Sequence, residues 1–236
     1  MMKQQNGNAL FLILIAVALF AALSYAVTNS GRGGSGIDRE QAEIAAAQIS
    51  NYASLMRTTI QRMKVINGCA DEEYFFGATA TDGQYDYTNA SRPASGECDV
   101  FGPDGGGISY QAPERDWLMA DCQSTNGCGF RYFYNGNAIP SVGTSAIDTL
   151  MVMPDVNKEI CVIFNDSMGI DNPSGDPPHE TSFGSGGTLA KGTFVAVTGP
   201  ALGDDATEIT GKQDFCVSRD QSGTLHYFVF SVILPR

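Results

Sequence analysis

The sequence predicts an α+β domain, disulfide-bonded and carried on an N-terminal transmembrane helix. Three observations carry this. A long apolar run without charge follows a short polar leader. A long stretch with apolar residues every third or fourth position follows it. The second half then holds β-branched and aromatic runs separated by turn residues. One helix followed by several strands gives an amphipathic helix packed on an antiparallel β-sheet. The 236 residues divide into a leader (1–7), an apolar helix (8–28), a Gly-rich linker (29–36) and an extracytoplasmic domain (37–236).

The leader is polar, and Lys3 is its one charged side chain. Ala9 to Val27 reads ALFLILIAVALFAALSYAV, with Ser24 as the clear polar interruption. At 1.5 Å per residue this run makes a helix of about 28 Å, close to the ~30 Å hydrocarbon core of a bilayer. A buried helix of a soluble protein would carry a polar stripe, and this run has none. Lys3 and the free amine favour an N-terminus left inside, which places the remainder outside. Ser24-Tyr25-Ala26 also has the small-x-small form of a signal-peptidase site, so cleavage after Ala26 is one reading and an uncleaved anchor another.

A third reading comes from the residues around Gly7. A short basic-polar leader ending in Gly, followed directly by Asn8-Ala-Leu-Phe-Leu-Ile-Leu-Ile-Ala-Val-Ala-Leu, resembles the start of a type IV prepilin or a type II secretion pseudopilin. The resemblance implies cutting by a prepilin peptidase after Gly7, with Asn8 as the first mature residue, methylation of the new N-terminus, and packing of the apolar helix into a filament core among other pilin-like subunits. Two positions depart from the pattern. Asn8 stands where Phe or Met is usual, and Leu12 stands where the family has Glu. Minor pseudopilins of the tip type lack that Glu, so the resemblance points to a minor subunit. It covers about thirty residues and implies a bacterial inner-membrane protein with its domain in the periplasm or at the cell surface.

Asn29 to Gly36 (NSGRGGSG) is a flexible linker by composition. Gly costs about 1 kcal/mol relative to Ala inside a helix, so this cluster interrupts any helix crossing it. Asp38 then suits an N-cap, with Gln41 in capping-box position. From Asp38 to Val65, Ala45, Ile49, Tyr52, Met56, Thr59, Ile60 and Met63 recur at helical spacing. Arg57, Gln61, Arg62 and Lys64 fall near the C-terminal end, where positive charge suits the helix dipole. Asn67-Gly68 ends the helix.

Cys69 to Asp148 reads as turns and short strands. DVFGPDGGG (99–107) is a loop, and Asn135-Gly136 is a hairpin turn after the aromatic run of GFRYFYNGNAI (129–139), with 137–139 as a weak return strand. Strands are predicted at Ile160–Phe164 (ICVIF), Thr193–Thr198 (TFVAVT), Phe215–Ser218 and Leu225–Leu234 (LHYFVFSVIL). Residues 165–192 form a long irregular insertion between the first two.

All six cysteines follow the apolar segment, as expected of disulfides in an oxidising compartment. Spacing does not choose among the pairings. Cys161 and Cys216 both fall in predicted strands, which makes a bridge between them reasonable. Cys122 and Cys128 could close a small loop, and Cys69, just past the helix, could reach Cys98. No CxxC knuckle accompanies a histidine at ligand spacing, which disfavours zinc.

The net charge of −12, with no basic run, excludes nucleic acid as a partner. No catalytic constellation stands out. His226 lies in an apolar strand as a packed or edge side chain, and His179 follows two prolines in a solvated loop. No Gly-x-Ser-x-Gly, Ser-x-x-Lys, Walker or His-Glu-x-x-His motif occurs. No cofactor is implied beyond a weak calcium reading: Asp166, Asp171, Asp176 and Glu180, with Asn172, offer oxygens from one Gly- and Pro-containing loop, although not at EF-hand spacing. The expectation is a non-enzymatic pilin- or pseudopilin-like subunit of a filament or secretion apparatus. A secreted or anchored periplasmic binding protein is the alternative, and an extracytoplasmic hydrolase carries low weight.

Overall fold

The computed structural model describes residues 7–30, 39–77, 87–123, 128–134, 139–181, 188–194 and 202–236. They fall into two units, 1–38 and 39–236.

The first unit holds one helix, α1 (Gly7–Ser30), with no acidic residue in its first turn and no basic residue in its last. Its described side chains are exposed, Phe20 at 74%. Among the described residues no helix is long and apolar enough to cross a membrane. In α1 the described side chains cover only 11–22 and 24, about 18 Å of continuous helix. The spanning role read for residues 8–28 thus stands on the sequence of the run alone. Asn29 and Ser30, expected in the linker, end α1 instead. Residues 31–38, including the rest of the linker and the expected Asp38 cap, lie outside the described residues, as do residues 1–6 of the leader.

The second unit opens with α2 (Arg39–Arg62), which buries Ala42, Ala45, Ala46, Ile49, Tyr52, Ala53, Met56, Thr59 and Ile60. This is the three- and four-residue stripe read from the sequence. The alanines let the helix approach its neighbours closely. It runs into one π-helical turn, Met63–Asn67, and stops at Gly68 in the left-handed region (φ 73°), whose N–H bonds to the Met63 carbonyl. The basic residues near this end do more than face a dipole. Arg57 Nε donates to the Val232 carbonyl at 2.7 Å, and its guanidinium pairs with Asp214. Arg62 donates to the Gly106 carbonyl at 2.5 Å. Gly106 has to be glycine, because a Cβ there would lie 2.0 Å from the Val100 carbonyl oxygen.

Five antiparallel strands form one sheet in the order β3-β1-β2-β5-β4: β1 (Arg131–Tyr134), β2 (Thr149–Met153), β3 (Thr188–Leu189), β4 (Asp214–Gln221) and β5 (Thr224–Leu234). The predicted strands at 215–218 and 225–234 are therefore present. Ser222 and Gly223, with φ of 56° and 88°, join β4 to β5 in a two-residue turn. Positive φ at both positions matches the right-handed twist of the flanking strands.

Three sequence readings are corrected. After the short helix α3 (Ala120–Gln123), ICVIF is not a strand but the centre of α4 (Lys158–Ser167), which buries Ile160, Cys161, Phe164 and Asn165. Burial at one, two, five and six along the run is a helical period. The insertion 165–192 is likewise not uniformly irregular: its start belongs to α4 and Thr188–Leu189 is β3. Finally, Thr149–Met153 is a strand that the sequence reading passed over. For TFVAVT, Thr193 and Phe194 are not in a strand and the rest lies outside the described residues, as does Asn135-Gly136; Ile139 is not in a strand.

Both sheet faces are covered. Cys216 of β4 is bonded to Cys161, so that face meets α4, and α2 lies against α4 and β5 on the same side. The alternate positions Leu150, Val152, Phe215, Val217, Phe228, Phe230 and Val232 pack on the opposite face with Ile139, Val142, Ile170 and Leu202 from coil segments and Ile209 from a 3₁₀ turn. The three bridges are Cys69–Cys98, Cys122–Cys128 and Cys161–Cys216, the pairings the sequence reading preferred, with Cys161 on a helix rather than a strand.

Candidate functional site

The residues expected to bind calcium are held apart by different partners. Asp166 Oδ1 accepts from Asn172 Nδ2 at 2.9 Å, and Asp176 pairs with Lys158. Asp171 is exposed. Glu180 is fully buried, and its Oε1 accepts the N–H groups of Gly203 (2.5 Å) and Ala206 (3.3 Å). Among the described residues, the group with three possible metal ligands in reach of one another is Cys122, Cys128 and Asp155. Its two sulfurs are bonded to each other and offer no thiolate.

Glu180 carries a consequence for stability. Burial raises its pKa, against the lowering effect of backbone N–H donors, and Oε2 has no partner among the described residues. A raised folded-state value makes Glu180's contribution most favourable below the ordinary glutamate value near 4.5, and that contribution is lost as pH rises through the folded value. Thermal melts from pH 4 upward should therefore show wild type losing stability relative to Glu180→Gln as pH rises. Parallel curves would refute this.

His226, read as packed or edge, is partly buried, with Nδ1 2.5 Å from Asp155 Oδ1. Asp155 sits at φ 54°, and its other oxygen lies 3.4 Å from Cys122 Sγ. His179 is exposed, as read, with Nδ1 3.2 Å from Ser218 Oγ. The described cysteines are all within bridges. Gly7 heads α1, and Asn8 and Ala26 lie within it.

A concave site forms elsewhere, between α2, residues 111–117 and Phe130. It encloses about 160 Å³. Ile49, Tyr52, Trp117 and Phe130 are buried in its floor, while Gln48, Gln111, Ala112 and Glu114 stand exposed around its rim. The Tyr52 and Phe130 ring centroids are 5.1 Å apart. Tyr52 is pinned from below: its hydroxyl lies 3.2 Å from that of Tyr132, which is itself fully buried and stacked on Phe76 at 4.8 Å. Burial raises the pKa of both tyrosines, so both hydroxyls stay protonated at neutral pH. The other wall is a single 3₁₀ turn, Arg115–Trp117, in which Trp117 N–H bonds to the Glu114 carbonyl. Asn157, just before α4, holds this turn twice. Its side chain donates to the Asp116 carbonyl and its N–H to the Trp117 carbonyl, at 2.7 and 2.8 Å.

The sequence reading did not assemble this pit, because α2 and the residues facing it lie about sixty or more positions apart in the chain. One signal was present: Trp117 is the chain's single tryptophan and stands in a polar segment. Comparison with protein-family models, curated proteins and solved structures gives no match.

Proposed function

We propose that this chain is a minor pilin- or pseudopilin-like structural subunit, anchored in the bacterial inner membrane by residues 8–28 and presenting its disulfide-bonded α+β domain outside the cytoplasm. The observation that carries this reading is α1. It is a 24-residue helix without a charged side chain, and its described side chains, including Phe11, Leu14, Val17 and Phe20, are all exposed. A charge-free apolar surface of that extent is stable only against lipid or other apolar helices. The same helix serves both, stored in the membrane and then buried among neighbouring subunits in a filament. Three bridges in the remaining domain suit an oxidising compartment. A secreted binding module is the second reading, favoured by the pit on α2 together with Ser24-Tyr25-Ala26.

The deciding experiment is the mature N-terminus, by intact mass and N-terminal peptide sequencing of protein from a host with a prepilin peptidase, alongside membrane fractionation. The expected result is a membrane-associated chain beginning at Asn8 and carrying one added methyl. A soluble chain beginning at Val27 would replace the filament reading with the secreted one, and an intact Met1 in the membrane would leave a simple anchor.

A further inference from the structure

We propose that the pit between α2, residues 111–117 and Phe130 is a binding site for the guanidinium group of an arginine side chain presented by a partner protein. The inference stands on the geometry of the second unit and does not depend on how the chain is anchored.

The floor supplies three aromatic rings from three separate parts of the chain, Tyr52, Trp117 and Phe130. Aromatic faces are negative at the centre of the ring and attract cations, Trp most strongly. The rim supplies the Gln48 and Gln111 amides and the Glu114 carboxylate; among the described residues Glu114 is the charged side chain that lines the pit, and Arg115, next along the 3₁₀ turn, is exposed. One carboxylate and two amide side chains over an aromatic floor favour a cation over an anion. The chain's net charge of −12 adds a long-range field that concentrates cations and repels acidic partners.

Size and shape favour arginine among the cations. A space of about 160 Å³ is on the scale of a cavity that admits a benzene ring. A planar guanidinium fits such a slot, stacks on aromatic faces and is weakly hydrated. An ammonium is compact and holds its water strongly. A guanidinium also carries five N–H donors in a fixed fork, matching a rim whose carboxylate and amide oxygens accept. A neutral sugar could use the rim amides, but it would leave the Glu114 charge uncompensated.

The pit is preorganised. Tyr52 is held by Tyr132, and the Trp117 turn is held by Asn157. Little ordering is therefore left for the moment of binding.

Trp117 supplies the assay. As the sole tryptophan it makes intrinsic emission a report on this site alone. The full chain, in nonionic detergent, is titrated with N-acetyl-arginine amide and separately with N-acetyl-citrulline amide, its neutral isostere. The expected result is a saturable change in emission with the arginine compound, with Kd on the order of 1 mM for a lone side chain. Citrulline should bind about tenfold more weakly. Glu114→Gln should narrow the difference between the two compounds, leaving the part that the aromatic floor supplies. Glu114 is exposed, so the variant should keep the wild-type melting midpoint. Gln111→Ala, at a second exposed rim position, should weaken the arginine compound in the same direction. No saturable change with the arginine compound, equal responses of the wild type to both compounds, or a Glu114→Gln protein that discriminates between them as strongly as wild type would each overturn the proposal.

Discussion

Replacing Cys161 and Cys216 together by alanine is expected to remove about 4 kcal/mol of stability, a large share of the ~5–15 kcal/mol that holds a typical domain folded. The bridge spans 55 residues and joins the middle of α4 to β4, the edge strand of the sheet. Closing a long loop restricts the denatured chain most, so its removal releases the most chain entropy. Both cysteines are fully buried, and alanine leaves space behind that the surrounding side chains must close. Cys122–Cys128 makes the comparison, since it closes a loop of only 6 residues. The same argument gives about 2 kcal/mol for Cys122→Ala with Cys128→Ala. Urea unfolding of the three proteins, followed by far-ultraviolet circular dichroism, measures both. Equal losses from the two pairs would show that loop length does not govern these bridges.

The parts of the fold that were legible in the sequence are those with one covered face. α2 shows its buried stripe at Ala45, Ile49, Tyr52, Met56 and Ile60 because its other face meets water and is polar. β2 shows no alternation because it lies between β1 and β5 with both faces buried, so all five of its side chains are buried. With no polar partner positions, TLMVM offered nothing to count. ICVIF failed differently. Its β-branched residues gave a strand by composition, yet Val162 and Ile163 are only partly buried while Ile160, Cys161 and Phe164 are fully so. Tertiary packing on α2 and β4 decided the helix over local preference. The expected calcium ligands shared a loop in sequence, but Glu180 turned inward while Asp176 turned to Lys158. Proximity in sequence did not become convergence in space. The pit shows the reverse, since Tyr52, Trp117 and Phe130 meet only after the chain has folded.

Asn165→Ala should cost about 2–5 kcal/mol, more than most substitutions of a polar residue, because Asn165 acts as the missing neighbour of an edge strand. β4 pairs with β5 on one side only. On its free side, Ser218 bonds to Pro178 and Glu180 through the backbone. Cys216 has no such strand beside it. The Asn165 amide takes that place, accepting the Cys216 N–H at 2.8 Å and donating to the Cys216 carbonyl at 2.9 Å. Its N–H group also lies 3.0 Å from Asn172 Oδ1. Asn165 and Cys216 are both fully buried, so alanine strands a donor and an acceptor where water does not replace the amide. Ser167→Ala is the control, because Ser167 bonds only back to Phe164 within its own helix turn and should cost no more than about 1 kcal/mol. A loss at Asn165 no larger than at Ser167 would mean that Cys216 finds other partners. The bridge and the amide meet at the same residue, so their effects should not add. Once the bridge is gone, α4 can shift from β4 and the edge can reach water, and Asn165→Ala in that background should cost less than it does alone.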